Sequence, residues 1–356
     1  MVRAAVIALV LASSAAAQID PRAALLERAG WDALAAGRAH AAAAAFRDAL
    51  TADPKNARLH VGAGIAAALE RRDADARDAF QAALALDPKQ LRARAQLGLV
   101  LYRLGDITGA IRAYEMLIAD APDDREARST LDRWQREVEL HDRMQQAIGS
   151  HFTVSFEGPA EEALATEAIA SLDRAYWRIG QLLGTYPNTP IAVVLYTTEQ
   201  FRDITRSPSW AAGAYDGTIR VPMRGALEKG TELDRVLAHE FTHAVVRGLA
   251  PRGVPTWLNE GLASALESES LEWAETRVAN ARPVPLQALA SGFGRFTGAQ
   301  AQVAYATSAL TVSRLLAESG GLAIVNLLRD LGEGQDFDAA FLHRIQRSFA
   351  DFQTAR

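Results

Sequence analysis

The stretch His239-Glu240-Phe241-Thr242-His243 places two imidazoles four residues apart with a carboxylate beside the first. On a helix, positions i and i+4 share a face, so both rings can address one metal ion. Glu240 projects from the same region and can act as a general base on water held there. Neutral imidazole nitrogen is a good zinc ligand. The chain of 356 residues contains no cysteine, which removes disulfides, thiolate zinc sites, cysteine nucleophiles and a lipoprotein anchor together. Any metal must therefore be held by His, Asp or Glu, and only seven His are available. The competing reading is two histidines satisfied by hydrogen bonds on a half-buried helix, which leaves the next motif unexplained.

Trp257-Leu258-Asn259-Glu260-Gly261-Leu262-Ala263 begins 14 residues after His243. Thr256 is expected to cap a second helix here, with Glu260 projecting from its first turn toward the metal. Two His and one Glu make three protein ligands and leave a fourth zinc position open for water, as a catalytic rather than structural site requires. The alternative for Glu260 is an ordinary surface carboxylate.

Together these motifs resemble the gluzincin metallopeptidases of the peptidase MA-like group. Trp257 to Ala263 is similar to the Trp-Leu-Asn-Glu-Gly-Phe-Ala of aminopeptidase N-like enzymes. The resemblance implies one zinc ion held by His239, His243 and Glu260, with Glu240 as base and proton shuttle acting on a zinc-bound water. It implies that Glu267, seven residues after Glu260 and on the same helical face, bonds a zinc-binding His and fixes its tautomer; a solvated Glu near a helix end is the alternative. Val303-Ala304-Tyr305 is similar to the start of the helix bearing the oxyanion tyrosine, which implies that Tyr305 donates its phenol proton to the tetrahedral oxyanion. Ordinary packing is the other role open to Tyr305. Two departures limit the carry-over: sixteen residues separate His243 from Glu260, fewer than in the aminopeptidases, and their Gly-x-Met-x-Asn strand is missing. Exopeptidase specificity is not implied.

The elements that must carry these groups follow from the hydropathy pattern. A helix starting near Thr231, its candidate cap, and ending near Gly248 holds the first motif. His151 to Phe156, Ile191 to Tyr196 and Gly217 to Val221 read as strands, and Glu161 to Leu183 as an amphipathic helix. Ala214 to Pro222 is a candidate edge strand above the metal, able to pair with an extended peptide, or else an ordinary hairpin strand. The remainder is mainly helical, and no second stretch beyond the N-terminus reads as long and apolar enough to span a membrane.

Upstream the pattern is periodic. Pro54, Pro88 and Pro122 are spaced 34 residues apart, as are Gly30, Gly64 and Gly98, the small residues Ala42, Ala76 and Ala110, and the aromatics Phe46, Phe80 and Tyr114. This resembles the tetratricopeptide repeat, a pair of antiparallel helices per unit. Three repeats cover about residues 23–124, and Arg125 to Met144 reads as a capping helix that hides the last apolar face. Such arrays bind protein segments, serve as spacers, or dock on their own neighbours. Other charged residues read as solvated helix faces, and His40, His60, His141, His151 and His343 receive no role.

The N-terminus carries Arg3, the apolar run Ala4 to Leu11, and Ala15-Ala16-Ala17 before Gln18, the pattern of a cleaved signal peptide. A net charge of −5 argues against a nucleic-acid surface, and 49% hydrophobic with 23% charged residues exclude wholesale disorder. The expected architecture is α+β: a signal peptide (1–17), an α-solenoid of tetratricopeptide repeats with its cap (23–145), and a thermolysin-like zincin domain with a small sheet and a mainly helical C-terminal part (150–356). The expected function is an exported, periplasmic or secreted zinc metallopeptidase acting on peptide or protein substrates, with a protein partner on the repeats and no membrane span after cleavage of the leader. The alternatives are a repeat-based scaffold with a weak or inactive zincin domain, and a zinc hydrolase acting on a non-peptide bond.

Overall fold

The period of 34 residues folds as three helical hairpins in the computed structural model: α1 (Pro21–Ala35) with α2 (Ala39–Ala52), α3 (Ala57–Leu69) with α4 (Asp73–Leu86), and α5 (Leu91–Arg103) with α6 (Ile107–Asp120). The structure describes residues 21–70, 72–158, 161–205, 213–222, 230–279, 281, 282, 284–290, 293 and 296–354. The expected signal peptide lies outside them. Helices this short are marginal alone, so packing decides their stability. Phe46, Phe80 and Tyr114 fill the centre of each hairpin. Gly30, Gly64 and Gly98 lie directly under those rings, where a methyl group would overlap them. Pro54, Pro88 and Pro122 each fall two residues beyond the end of α2, α4 or α6, where a missing N–H costs the helix nothing.

Helix α7 (Arg125–His141) closes the array, its start capped by Asp124, which accepts from Ala127 N. Trp134 stacks on Tyr102 and meets Tyr114 edge-on, with ring centroids 5.0 and 4.6 Å away. The expectation that this helix runs to Met144 is corrected, because residues 145–148 form a strand that follows a short turn. The reading of its charges as solvated also fails at Glu137, which is 1% exposed.

Strand β1 (Gln145–Ile148) leads into β2 (Phe152–Phe156), α8 (Glu162–Leu183), β3 (Ile191–Tyr196), α9 (Thr198–Thr205), β4 (Ala214–Tyr215) and β5 (Ile219–Pro222). The sheet order is β1-β2-β3-β5-β4, with β2, β3 and β5 parallel and the two outer strands antiparallel to their neighbours. The stretch from Ala214 to Pro222 is therefore not one edge strand. It is a hairpin turning at Gly217 (φ 122°), with β4 as the edge and β5 inside, and Pro222 pairs opposite Tyr196 beyond the reach of β4.

The rest of the domain is helical: α10 (Gly230–Leu249), α11 (Thr256–Leu266), α12 (Glu272–Ala279), α13 (Gly298–Gly332), α14 (Phe337–Ile345) and α15 (Phe349–Thr354). Helix α10 packs on α8 and α11 on α13, around a core that includes Phe152, Leu195, Phe241, Leu258 and Leu262. Two expected caps differ. Helix α10 begins at Gly230, so Thr231 is inside it. Thr256 is the first residue of α11 after Pro255, and its N–H donates to Ala290 O.

Helix α13 is long and apolar enough to cross a membrane by length and composition, contrary to the sequence expectation. Its backbone breaks at Gly320 (φ 76°, ψ 161°), and Ala304, Val312, Leu315 and Leu328 enter the domain core. About a third of its apolar window is buried in this way.

Candidate metal centre and its cleft

On α10, the face opposite the core turns His239 and His243 toward a cleft, while Leu237 and Phe241 anchor the helix from the other side. The two rings have centroids 4.8 Å apart, as the helical spacing of i and i+4 requires. Helix α11 then brings Glu260 against both: Oε2 lies 3.8 Å from His239 Nε2 and 3.6 Å from His243 Nε2. Gly261 permits this approach. A Cβ there would stand 2.6 Å from Ser308 O on α13, so no larger residue lets α11 lie so close. Asn259 Nδ2 donates to Glu260 Oε1 at 3.2 Å and orients the carboxylate.

Glu267, just past the end of α11, reaches back to α10. His239 Nδ1 donates to its Oε2 at 2.8 Å, since an ionised carboxylate only accepts. That bond leaves His239 Nε2 free to face Glu260 and His243. Arg235 Nη1 donates to Glu267 Oε1 at 2.8 Å and holds the carboxylate from its far side. Among the described residues, His239, His243 and Glu260 alone bring three candidate metal-binding atoms within 4.8 Å of one another. Two imidazole nitrogens and one carboxylate oxygen form a donor set suited to zinc.

The charges of these groups are set by burial and by each other. Burial pushes Glu240 up to about 7, against the opposing charge of His239 and with help from Glu260 and Glu267. Burial works against a charged His239, but the Glu260 carboxylate facing its Nε2 and the bond to Glu267 prevail and raise it to about 10. For His243, burial prevails and lowers it to about 4. Burial opposes ionisation of Glu260, yet His239 and His243 hold its carboxyl below the usual range. A carboxylate thus stands at each nitrogen of His239, Glu267 bonded to Nδ1 and Glu260 facing Nε2, an arrangement in which a cation can take the place of a ring proton.

His239, Glu240, His243, Glu260, Glu267 and Tyr305 all line one cleft of about 1010 Å³. Tyr305, on α13, meets Phe293 edge-on with ring centroids 5.1 Å apart. Burial, together with Glu260 and Glu240, drives its phenol well above the ordinary range, so it stays a donor. The histidines given no role find partners elsewhere, among them Glu70 for His40, Tyr196 for His141 and Asp173 for His151.

Several cleft residues escaped the sequence reading, Arg235, Gly213 and Leu69 among them. Arg235 lies four residues before His239, and that spacing was its available signal. Gly213 precedes the hairpin and touches Glu240. Leu69 comes from α3 of the repeat array, and no local sequence pattern could place it in a cleft built by another domain.

The fold is thus a helical repeat array joined to a mostly helical domain with a small sheet, and the chain belongs to the Peptidase MA superfamily, whose family model matches residues 171–348. Two tetratricopeptide repeat models match residues 27–90 and 67–133. Similar solved structures include the first such domain of Spaghetti (RPAP3) bound to an HSP90 peptide, at 22% identity over 33% of this chain and 94% of that one, with a TM-score of 0.33. The Sgt2 repeat domain from Aspergillus fumigatus matches at 23% identity over 37% of this chain and 88% of that one, TM-score 0.34. MamA matches at 27% identity over 35% and 72%, TM-score 0.33. No curated protein matches the chain.

Proposed function

We propose that this protein is an exported zinc-dependent metallopeptidase of the gluzincin type, with a thermolysin-like zincin domain and a repeat array that engages protein. The observation that carries the reading is the convergence of His239 Nε2, His243 Nε2 and Glu260 Oε2 in a cleft also lined by Glu240. A zinc ion held by those three atoms supplies a Lewis acid for the scissile carbonyl and makes water a stronger acid near neutral pH. Export rests on the leader pattern of residues 1–17.

The remaining chemistry belongs to the chain itself. Glu240 takes a proton from the attacking water on its carboxylate and delivers it to the leaving amine nitrogen. Tyr305 donates a hydrogen bond from its phenol to the oxyanion that develops on the carbonyl. Glu267 fixes the tautomer of His239, and Arg235 fixes Glu267. The edge strand β4 offers backbone groups to an extended peptide beside Glu240.

The test pairs elemental analysis with a peptide-library assay on wild type and Glu240→Gln. The variant is expected to bind one equivalent of zinc and to lose hydrolysis. Equal cleavage by both proteins would sink the assignment. Zinc without cleavage in wild type would point to a scaffold or a non-peptide substrate.

A further inference from the structure

Arg220 stands where the repeat array, the sheet and the cleft wall meet. It lies in β5, 5% exposed, and its guanidinium reaches four elements. Nη1 donates to Glu137 Oε1 on α7 and to the Tyr196 hydroxyl on β3, both at 2.7 Å. Nη2 donates to the Tyr102 hydroxyl on α5 at 3.3 Å, and Nε to Asp216 Oδ2 in the β4–β5 turn at 3.1 Å. Tyr102 donates in turn to Glu137 Oε2 at 2.7 Å, and the Tyr196 hydroxyl pairs with His141 Nε2 at 2.8 Å.

A second bond joins the array to the helix of the metal centre. Arg247, one turn beyond His243, donates to Asp73 Oδ2 on α4 at 3.3 Å, and Asp73 also accepts from Arg103 on α5. Leu69 of the array and Arg247 of α10 both line the cleft. The array thus contributes Leu69 to the lining and holds Arg247 through Asp73.

The strand that this arrangement supports has little pairing of its own. Among the described residues, β4 is two residues long and joins the sheet through Ala214 opposite Arg220 and Tyr215 opposite Ile219. Strands of ordinary length are several residues longer, so the placement of β4 depends on what holds β5 and the turn. Its neighbour Gly213 touches Glu240, and Tyr215 lines the cleft. A buried ion pair contributes little net stability compared with apolar packing, but the planar guanidinium fork imposes direction on everything bound to it.

We propose that Arg220 is a positioning residue that braces β4 against Glu240 with the repeat array as its abutment, so that the array is a working part of the cleft wall and not a detachable recruiting module. The kinetic part of this proposal rests on the peptidase reading; the structural part does not.

The experiment uses the full-length, zinc-loaded protein and the double variant Arg220→Met/Glu137→Met, which removes both buried charges together. Amide hydrogen exchange at Gly213–Tyr215 is expected to rise about tenfold while α10 keeps its protection. KM for an extended peptide is expected to rise about tenfold, with a smaller fall in kcat, because a binding wall moves while the reacting groups stay. Unchanged exchange in β4 overturns the proposal, as does equal loss of protection in β4 and α10, which would mean general loosening. Should that variant fail to fold, Glu137→Gln keeps the shape and removes only the array's charge; exchange in β4 should still rise about threefold, and no change there overturns the proposal. A wild type that cleaves no peptide would defeat the functional reading, while the exchange result would still decide the role of Arg220.

Discussion

A methyl group on Gly213 would stand 2.6 Å from Oε1 of Glu240 and 2.7 Å from its Cγ. The residue that precedes edge strand β4 thus leaves no room for a side chain beside the candidate general base. Because the overlap includes Cγ as well as the carboxylate end, Glu240 cannot avoid it by a small rotation. Gly213→Ala should displace the base and lower kcat by about 100-fold, the scale on which a misplaced acid–base group acts. Zinc content and melting temperature should stay close to wild type. Steady-state kinetics beside metal analysis checks this, and wild-type turnover would show that the contact has no bearing on catalysis.

Glu267 holds His239 Nδ1 at 2.8 Å and is itself held by Arg235. A Gln in its place keeps the volume but weakens the acceptor and releases Arg235. Zinc affinity of Glu267→Gln should fall about 10–100-fold, the usual cost of losing such a support. Competition with a chelator measures it. An affinity equal to wild type would reduce Glu267 to a surface carboxylate.

The repeat array was legible because one period recurs at four positions, from Gly30 and Ala42 to Phe46 and Pro54. Helical spacing and chain-local motifs picked out His239, Glu240, His243 and Glu260, and the family resemblance added Glu267 and Tyr305; the structure brings all six to one cleft. What joins the two halves was not legible. Arg220 and Glu137 are 83 residues apart in the chain, and a charge on an amphipathic helix looks alike whether it meets water or another domain's arginine. β1 was also missed, for the four residues Gln145 to Ile148 are mostly exposed and show no alternation. Strand pairing with β2, a non-local effect, decided their conformation.

In the metal-free protein His239 binds its proton up to about pH 10, against an ordinary 6.5. Its folded pKa is raised, so the stability it contributes is complete below about pH 6.5 and is lost as pH climbs through 10. Zinc needs the neutral ring and must expel that proton. Binding at pH 7 should release about one proton from His239, and apparent affinity should rise by about tenfold per pH unit between pH 7 and 9. Calorimetry in two buffers of different ionisation enthalpy counts the proton. Binding independent of pH and buffer would contradict the charge state assigned to His239.

Gly261 poses a different problem from Gly213, because its neighbours cannot rotate away. A Cβ there would lie 2.6 Å from Ser308 O and 2.9 Å from Ser308 C, both backbone atoms of α13. Gly261→Ala must therefore push α11 from α13 as a unit. Overpacking of this kind costs about 1–3 kcal/mol, read as a lower melting temperature. The shift also carries Glu260, the adjacent residue, away from His239 and His243. Zinc affinity should fall along with stability, whereas Gly213→Ala should spare both and lose turnover. A Gly261→Ala protein that melts like wild type and binds zinc as tightly would mean that α11 and α13 are not in the close contact on which the geometry of Glu260 depends.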